Sequence, residues 1–212
     1  MGRVYSHKSK QYKSKSHQNG AYWYSFELVN NIIPRVKTKR PWVTLKLEDF
    51  CVDHAIYFIH NNLEPEKFRF LKNYEDVIAV VGVPYMVKKI KPYVDHIIYL
   101  PLSVDVDYVK KFRTQKTKLV CYAGRKHKLS YGVIDSSAEL LCDMPRDELL
   151  TKMAQYEYCY GVGRIAIEAR ILGCQVVPYD IRYPDPNLWM VISNEQAAAM
   201  LQAELDKIDK KP

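Results

Sequence analysis

No apolar run in this 212-residue chain approaches the stretch of about 18 residues that a membrane-spanning helix requires. A transmembrane helix is therefore not expected. The first residues, Met1-Gly-Arg-Val-Tyr-Ser-His-Lys8, lack the apolar core of a secretory signal peptide. Gly2 followed by Ser6 fits a myristoylation pattern only loosely. Cysteines number five, at positions 51, 121, 142, 159 and 174, and none forms a C-x-x-C pair. An odd, scattered set of this kind predicts reduced, buried thiols in a cytoplasmic protein. Cys-His metal spacing, a G-x-S-x-G elbow and a G-x-x-x-x-G-K-[ST] loop are all missing, so the chemistries they carry are not indicated. No short internal repeat is visible.

Acidic residues are nearly absent from the first fifth of the chain. Met1 to Lys46 holds ten Lys or Arg against the single acid Glu27, a local charge of +9 within a total of +8. Everything after Lys46 is close to neutral. Such asymmetry suits an anionic partner for the N-terminal region, whether nucleic acid, a membrane surface or a phosphorylated substrate. A solvated basic face that maintains solubility is the plain alternative.

What is present is a globular composition. Hydrophobic residues make up 48% and aromatics 12%, which excludes a disordered chain. The length accommodates one domain or two small ones. Arg3–Ser6 reads as a first strand, followed by a long basic loop over 7–20. Tyr22, Phe26, Val29 and Ile33 recur at helical spacing before Pro34. Strands are expected at 42–47, 55–60, 77–83 and 97–100, with helices at 64–72 and 85–91. A second series follows the crossing point Pro101-Leu-Ser-Val-Asp105. It comprises a helix capped by Asp105, a strand at 118–123, a compact polar stretch and a helix at 145–155. The C-terminus reads as a helix from Ser193, with Gln196 positioned for a capping box. Strands alternating with helices predict a mostly parallel α/β architecture of two small Rossmann-like halves, divided as 1–104 and 105–212, with a C-terminal helix.

The segment Tyr156-Glu-Tyr-Cys-Tyr-Gly-Val-Gly-Arg-Ile-Ala-Ile-Glu-Ala-Arg-Ile-Leu-Gly-Cys-Gln-Val-Val-Pro-Tyr-Asp180 is the most informative one. It reads as strand, glycine turn, helix, strand. Gly161 and Gly163 at the helix start would leave backbone N–H groups free for an anion, with Arg164 beside them and Glu168 one turn on. Glycines that merely permit close packing would read the same way. Upstream, Lys118-Leu-Val-Cys-Tyr-Ala-Gly-Arg125-Lys-His-Lys128 ends a strand in a glycine and a run of cations. That is where open α/β sheets bind ligands, and where a guanidinium and an ammonium can clamp a diphosphate. Asp105-Val-Asp107 is an acidic pair of the kind that can bind a divalent metal, but Asp105 is better used as a helix cap and no acidic cluster completes it.

Taken together, Gly124-Arg125 with Lys128, Gly161-Val-Gly163, Glu168-Ala169, Gly173 and Val176-Val177-Pro178 resemble the second half of retaining, nucleotide-sugar-dependent glycosyltransferases of the GT-B architecture. Ile97-Ile-Tyr-Leu-Pro-Leu-Ser-Val-Asp105 resembles that family's entry into its second domain. His60, at a strand end, matches a position for an acceptor-side histidine, and Asn19-Gly20-Ala21 matches a glycine loop meeting a helix.

The resemblance implies a hexosyltransferase-type activity that moves a sugar from a nucleotide-sugar to an acceptor, without a metal or a resident cofactor. It implies an acceptor-side half at 1–104 and a donor-binding half at 105–212. Donor contacts would come from Gly20, Arg125, Lys128, Gly161, Gly163, Arg164 and Glu168, with Arg125 and Lys128 on the diphosphate and Glu168 on the ribose hydroxyls. Acceptor-side contacts would come from His60, Asn61 and Asn62, and the catalytic roles would fall to His60 and Glu168. Two departures stand out. Tyr160 occupies the place of the family's first glutamate, and the interval between Arg125 and Tyr156 is short for the usual strand-helix pairs. A non-catalytic nucleotide- or nucleic-acid-binding protein on a reduced scaffold is the competing expectation. The expected location is cytoplasmic, with a peripheral position at a membrane left open.

Overall fold

The computed structural model describes residues 4–6, 20–44, 52–59 and 65–210. His60, Asn61, Asn62 and the basic loop up to residue 19 lie outside the described residues, as does the end of the strand expected at 42–47. The chain is an α/β protein with two all-parallel sheets, each part of its own compact unit.

The first sheet holds β1 (Val4–Ser6), β2 (Trp42–Thr44), β3 (Ile56–Ile59), β4 (Ile78–Val81) and β5 (His96–Tyr99), hydrogen-bonded in that same order. Helix α1 (Gly20–Glu27) runs on into a wide turn at Leu28–Ile32, where the Ile33 N–H donates to the Leu28 carbonyl, and then into a tight turn at Ile33–Arg35. The expected helix over 21–33 is thus broken into three geometries, all ended by Pro34 and the extended Val36. A 3₁₀ segment, Pro65–Asn73, joins β3 to β4, and α2 (Pro84–Ile90) joins β4 to β5.

Strands β3 and β4 are buried along their full length, which is why they read as continuous apolar runs rather than alternating ones. Val43, Tyr57, Ile59, Ala79 and Val81 form one face of the sheet and pack with Phe68, Leu71, Met86 and Ile90. On the other face Trp42 stacks on Phe58, with ring centroids 5.8 Å apart.

The second unit spans Leu102–Ser193. It contains α3 (Val106–Lys110), β6 (Lys118–Gly124), β7 (Glu139–Cys142), α4 (Arg146–Met153), β8 (Tyr156–Tyr160), α5 (Arg164–Ile171) and β9 (Gln175–Val177). Asp105 caps α3, accepting a 2.9 Å bond from the Tyr108 N–H, as its sequence position suggests. Strand β7 was not anticipated. The interval between Arg125 and Tyr156, where a polar stretch and a helix at 145–155 are expected, holds a 3₁₀ segment (Lys126–Tyr131), β7 and the expected helix as α4. Four residues on a sheet edge, only one of them buried, give almost no periodic signal.

Strand order in the second sheet is β7-β6-β8-β9. The chain leaves β6 for the neighbour on one side, crosses back, and leaves β8 for the neighbour on the other. In the first sheet, by contrast, strand order simply follows the sequence.

The last helix, α6 (Asn194–Asp209), packs with the first unit, not the second. The division therefore falls after Pro101, and the C-terminal half expected at 105–212 ends at Ser193. Polar ties at both ends of α6 account for this. Asn194 Nδ2 donates to the buried Glu27 carboxylate at 2.7 Å, and Asp209 accepts from Arg40 Nη2 at 3.0 Å. Arg40 also pairs with Asp76 at 2.7 Å, which joins the helix end to the base of the first sheet. No helix among the described residues is long and apolar enough to cross a membrane.

One cation organises the second unit from its base. Lys116 Nζ donates to the carbonyls of Ala154 at 2.8 Å and Leu172 at 2.9 Å, closing the C-terminal ends of α4 and α5 together. A positive charge there also meets the negative ends of both helix dipoles. Replacing Lys116 by methionine keeps the stem but removes both bonds. Urea unfolding of that variant is expected to show a loss of about 2 kcal/mol, the usual scale of a charged hydrogen-bond donor.

Candidate functional site

The reversal of strand order places two chain exits side by side. Tyr122 and Tyr160 are register partners on β6 and β8. Gly124 and Arg125 leave the end of β6, and Gly161-Val-Gly163 leave the end of β8. These exits lie at the carboxyl ends of neighbouring strands, and the crevice associated with such a reversal of strand order is the customary ligand position in open α/β sheets. Gly163, at the N-cap of α5, has φ +64°, a conformation that favours glycine, and it has no side chain of its own to cap the first helical N–H groups.

The basic cluster lies on the β6 side of this crevice. Arg125 is exposed and Lys128 is partly buried. Burial, then the nearby Arg125 and Arg182 guanidinium groups, holds the Lys128 ammonium below the usual lysine range, against a smaller pull from Asp180. Lys128 has no side-chain hydrogen bond or ion pair among the described residues. Arg182 was missed by the sequence reading because it follows β9 and comes close only through folding. A backbone bridge between Gly132 and Asp180 joins its loop to the segment after β6, and the Ile181 N–H donates to the Tyr131 carbonyl at 3.1 Å. Gly132 permits this approach, since a Cβ would sit 1.5 Å from the Tyr179 carbonyl oxygen. The Asp180 side chain is fully buried and accepts from Arg182 Nε at 2.8 Å, Nη2 at 2.5 Å and the Arg182 backbone N–H at 3.0 Å. Burial alone would raise the Asp180 carboxyl, but these bonds pull it below the usual carboxylate range.

The β8 side is aromatic. Tyr160 packs edge-on to Tyr179 with centroids 6.4 Å apart, and Tyr179 packs edge-on to Tyr122 at 5.4 Å. Tyr122 in turn donates its hydroxyl to the Arg125 carbonyl at 2.9 Å, fixing the turn after β6. An aromatic stack therefore lines the end of β8.

No family model matches the chain, nor does any curated protein or solved structure.

Glu168 is buried at 2% exposure, and its Oε1 accepts from Arg146 Nη2 at 2.9 Å and Arg164 Nε at 2.9 Å. Arg146 was not anticipated; it begins α4, a neighbour of α5. Its guanidinium lies 5.0 Å from the Tyr108 ring centroid. The Tyr108 hydroxyl donates to Asp147 at 2.5 Å, and burial together with that bond pushes it up to about 12. Arg164 and Glu168 thus join a buried ion cluster linking α4 to α5, a different employment from open donor contacts. Gly20 starts α1, far along the chain from these groups. Among the described residues no group of His, Cys, Asp and Glu is placed to hold a metal ion. A concavity of about 310 Å³ lies in the first unit, lined by Lys72, Tyr74, Lys91 and Tyr93 among others, and none of the candidate residues borders it.

Two expectations follow. Glu168→Ala removes the carboxylate shared by two buried arginines, and thermal and urea unfolding should report a loss of about 3–5 kcal/mol. Lys128→Met should do the reverse. Lys128 loses its proton at lower pH when folded than when unfolded, where the value is about 10.4. Its penalty is therefore fully present below the folded value, fades as pH rises through it, and is gone above the unfolded one. Removing the charge should raise Tm at pH 7 by about 2–4 °C per kcal/mol relieved, and the gain should shrink towards alkaline pH.

Proposed function

We propose that this protein is a glycosyltransferase that takes its sugar from a nucleoside diphosphate donor, with the diphosphate held in the crevice of the second unit. The observation that carries the reading is the strand-order reversal between β6 and β8. It sets Gly124-Arg125 and the uncapped start of α5 at one crevice, beside the partly buried Lys128. A diphosphate there would meet N–H groups on one side and cations on the other. The chemistry needs this arrangement, because breaking the sugar C1–O bond leaves the electron pair on the departing nucleoside diphosphate. Cations fixed in advance stabilise that developing charge without reorganising. The acceptor hydroxyl forms the new bond to C1 and gives up its proton. A general base on the acceptor side receives it.

The engagement of Glu168 and the aromatic setting of Tyr160 favour a second reading. On that reading the site binds a nucleotide or nucleic acid without catalysis.

A panel of UDP-, GDP- and ADP-sugars separates the two. Donor hydrolysis or transfer by the wild type, falling about 10²-fold in Arg125→Ala, supports the transferase. Saturable nucleotide binding with no turnover of any donor supports the binding protein. Absence of both removes the nucleotide site.

A further inference from the structure

We propose that Arg182 is a third phosphate-binding cation of this crevice, and that the site it completes takes a two-phosphate unit in preference to a single phosphate. The proposal deepens the reading above and rests on it for the nucleotide, not for the anion. Three features of the Arg182 loop support it. The first is orientation. Asp180 binds the Nε and Nη2 edge of the guanidinium, so the Nη1 edge is left without a partner among the described residues. The Tyr131 ring lies 3.7 Å from the guanidinium carbon and fixes its plane. With a side chain 34% exposed, the group is reachable from solvent, while the carboxylate behind it is not.

The second feature is charge. Arg125 and Arg182 both act on Lys128, and the carboxylate that acts on it, Asp180, has its oxygens already engaged by Arg182. The cluster therefore carries a net +2. Holding like charges together in this way is unfavourable unless an anion joins them. A diphosphate linkage esterified at both ends carries two negative charges and matches that surplus.

The third feature is construction. The loop bearing Arg182 is joined to the segment bearing Lys128 by the Gly132–Asp180 bridge, at a separation only glycine allows. Cations from two distant parts of the sequence are thereby held in one arrangement before any ligand arrives. Such preorganisation lowers the cost of binding.

The test is calorimetric titration of the full chain with inorganic pyrophosphate, UDP and inorganic phosphate. It compares wild type, Arg182→Gln, Arg182→Lys and Lys126→Gln, with Tm measured for each. Lys126 is exposed and absent from the charges acting on Lys128, so its variant is the control for general surface charge. The expected result is that wild type binds pyrophosphate and UDP at least about tenfold more tightly than phosphate. Both Arg182 variants should lose about tenfold or more, and Lys126→Gln should stay near wild type. Arg182→Gln strips the partner from a buried carboxylate and can unfold, in which case Arg182→Lys, which keeps the ion pair, decides. A folded Arg182→Lys with wild-type affinity overturns the proposal, as does equal affinity for phosphate and pyrophosphate. Pyrophosphate binding that depends on Arg182, with no turnover of any nucleotide-sugar, leaves this site standing and removes the transferase.

Discussion

A parallel sheet whose strand order reverses cannot cover its own middle. The two central strands must send their continuations apart, and the space between the exits is left to whatever side chains line it. In this protein that constraint acts on β6 and β8, and the placing of Arg125 and of the start of α5 depends on it. The turns that follow β6 and β8 start from neighbouring strand ends, although 36 residues separate Gly124 from Tyr160 in the chain. The first sheet, wound in sequence order, has no such gap, and it concentrates its apolar residues into two packed faces instead.

Much of the architecture was legible in the sequence because parallel strands buried on both faces are written as unbroken apolar runs. Ile56–Ile59 and Ile78–Val81 are of this kind, and α5 was marked by the glycines before it and the apolar stripe along it. β7 was not legible, being short, marginal and half-exposed. Nor was the allegiance of α6. Its apolar stripe calls for a partner surface but does not say which, and the choice is made by Asn194 with Glu27 and by Arg40 with Asp209, pairs separated by more than 160 residues.

The candidate site was legible in part for a related reason. Gly124, Arg125, Gly161 and Gly163 are local signals, each carried by a strand end or a helix start. Arg182 and Arg146 have no local signal, since one follows a terminal strand and the other opens a helix like any surface arginine. Only the fold reveals that Arg182 joins Lys128, or that Arg146 and Arg164 converge on Glu168. The surroundings of Glu168 were not legible for the same reason. A glutamate one turn into a helix carries no hint that two guanidinium groups will meet it in the interior, where removing one partner of a charge pair costs more than at the surface.

Helices α4 and α5 are joined at both extremities. Lys116 fastens their C-terminal ends, and the Arg146–Glu168–Arg164 cluster fastens their leading halves. Mechanically the pair is a braced frame rather than two levers. Displacing one helix must then carry the other with it or break charged hydrogen bonds at one extremity, so the two act as a single support behind the end of β8.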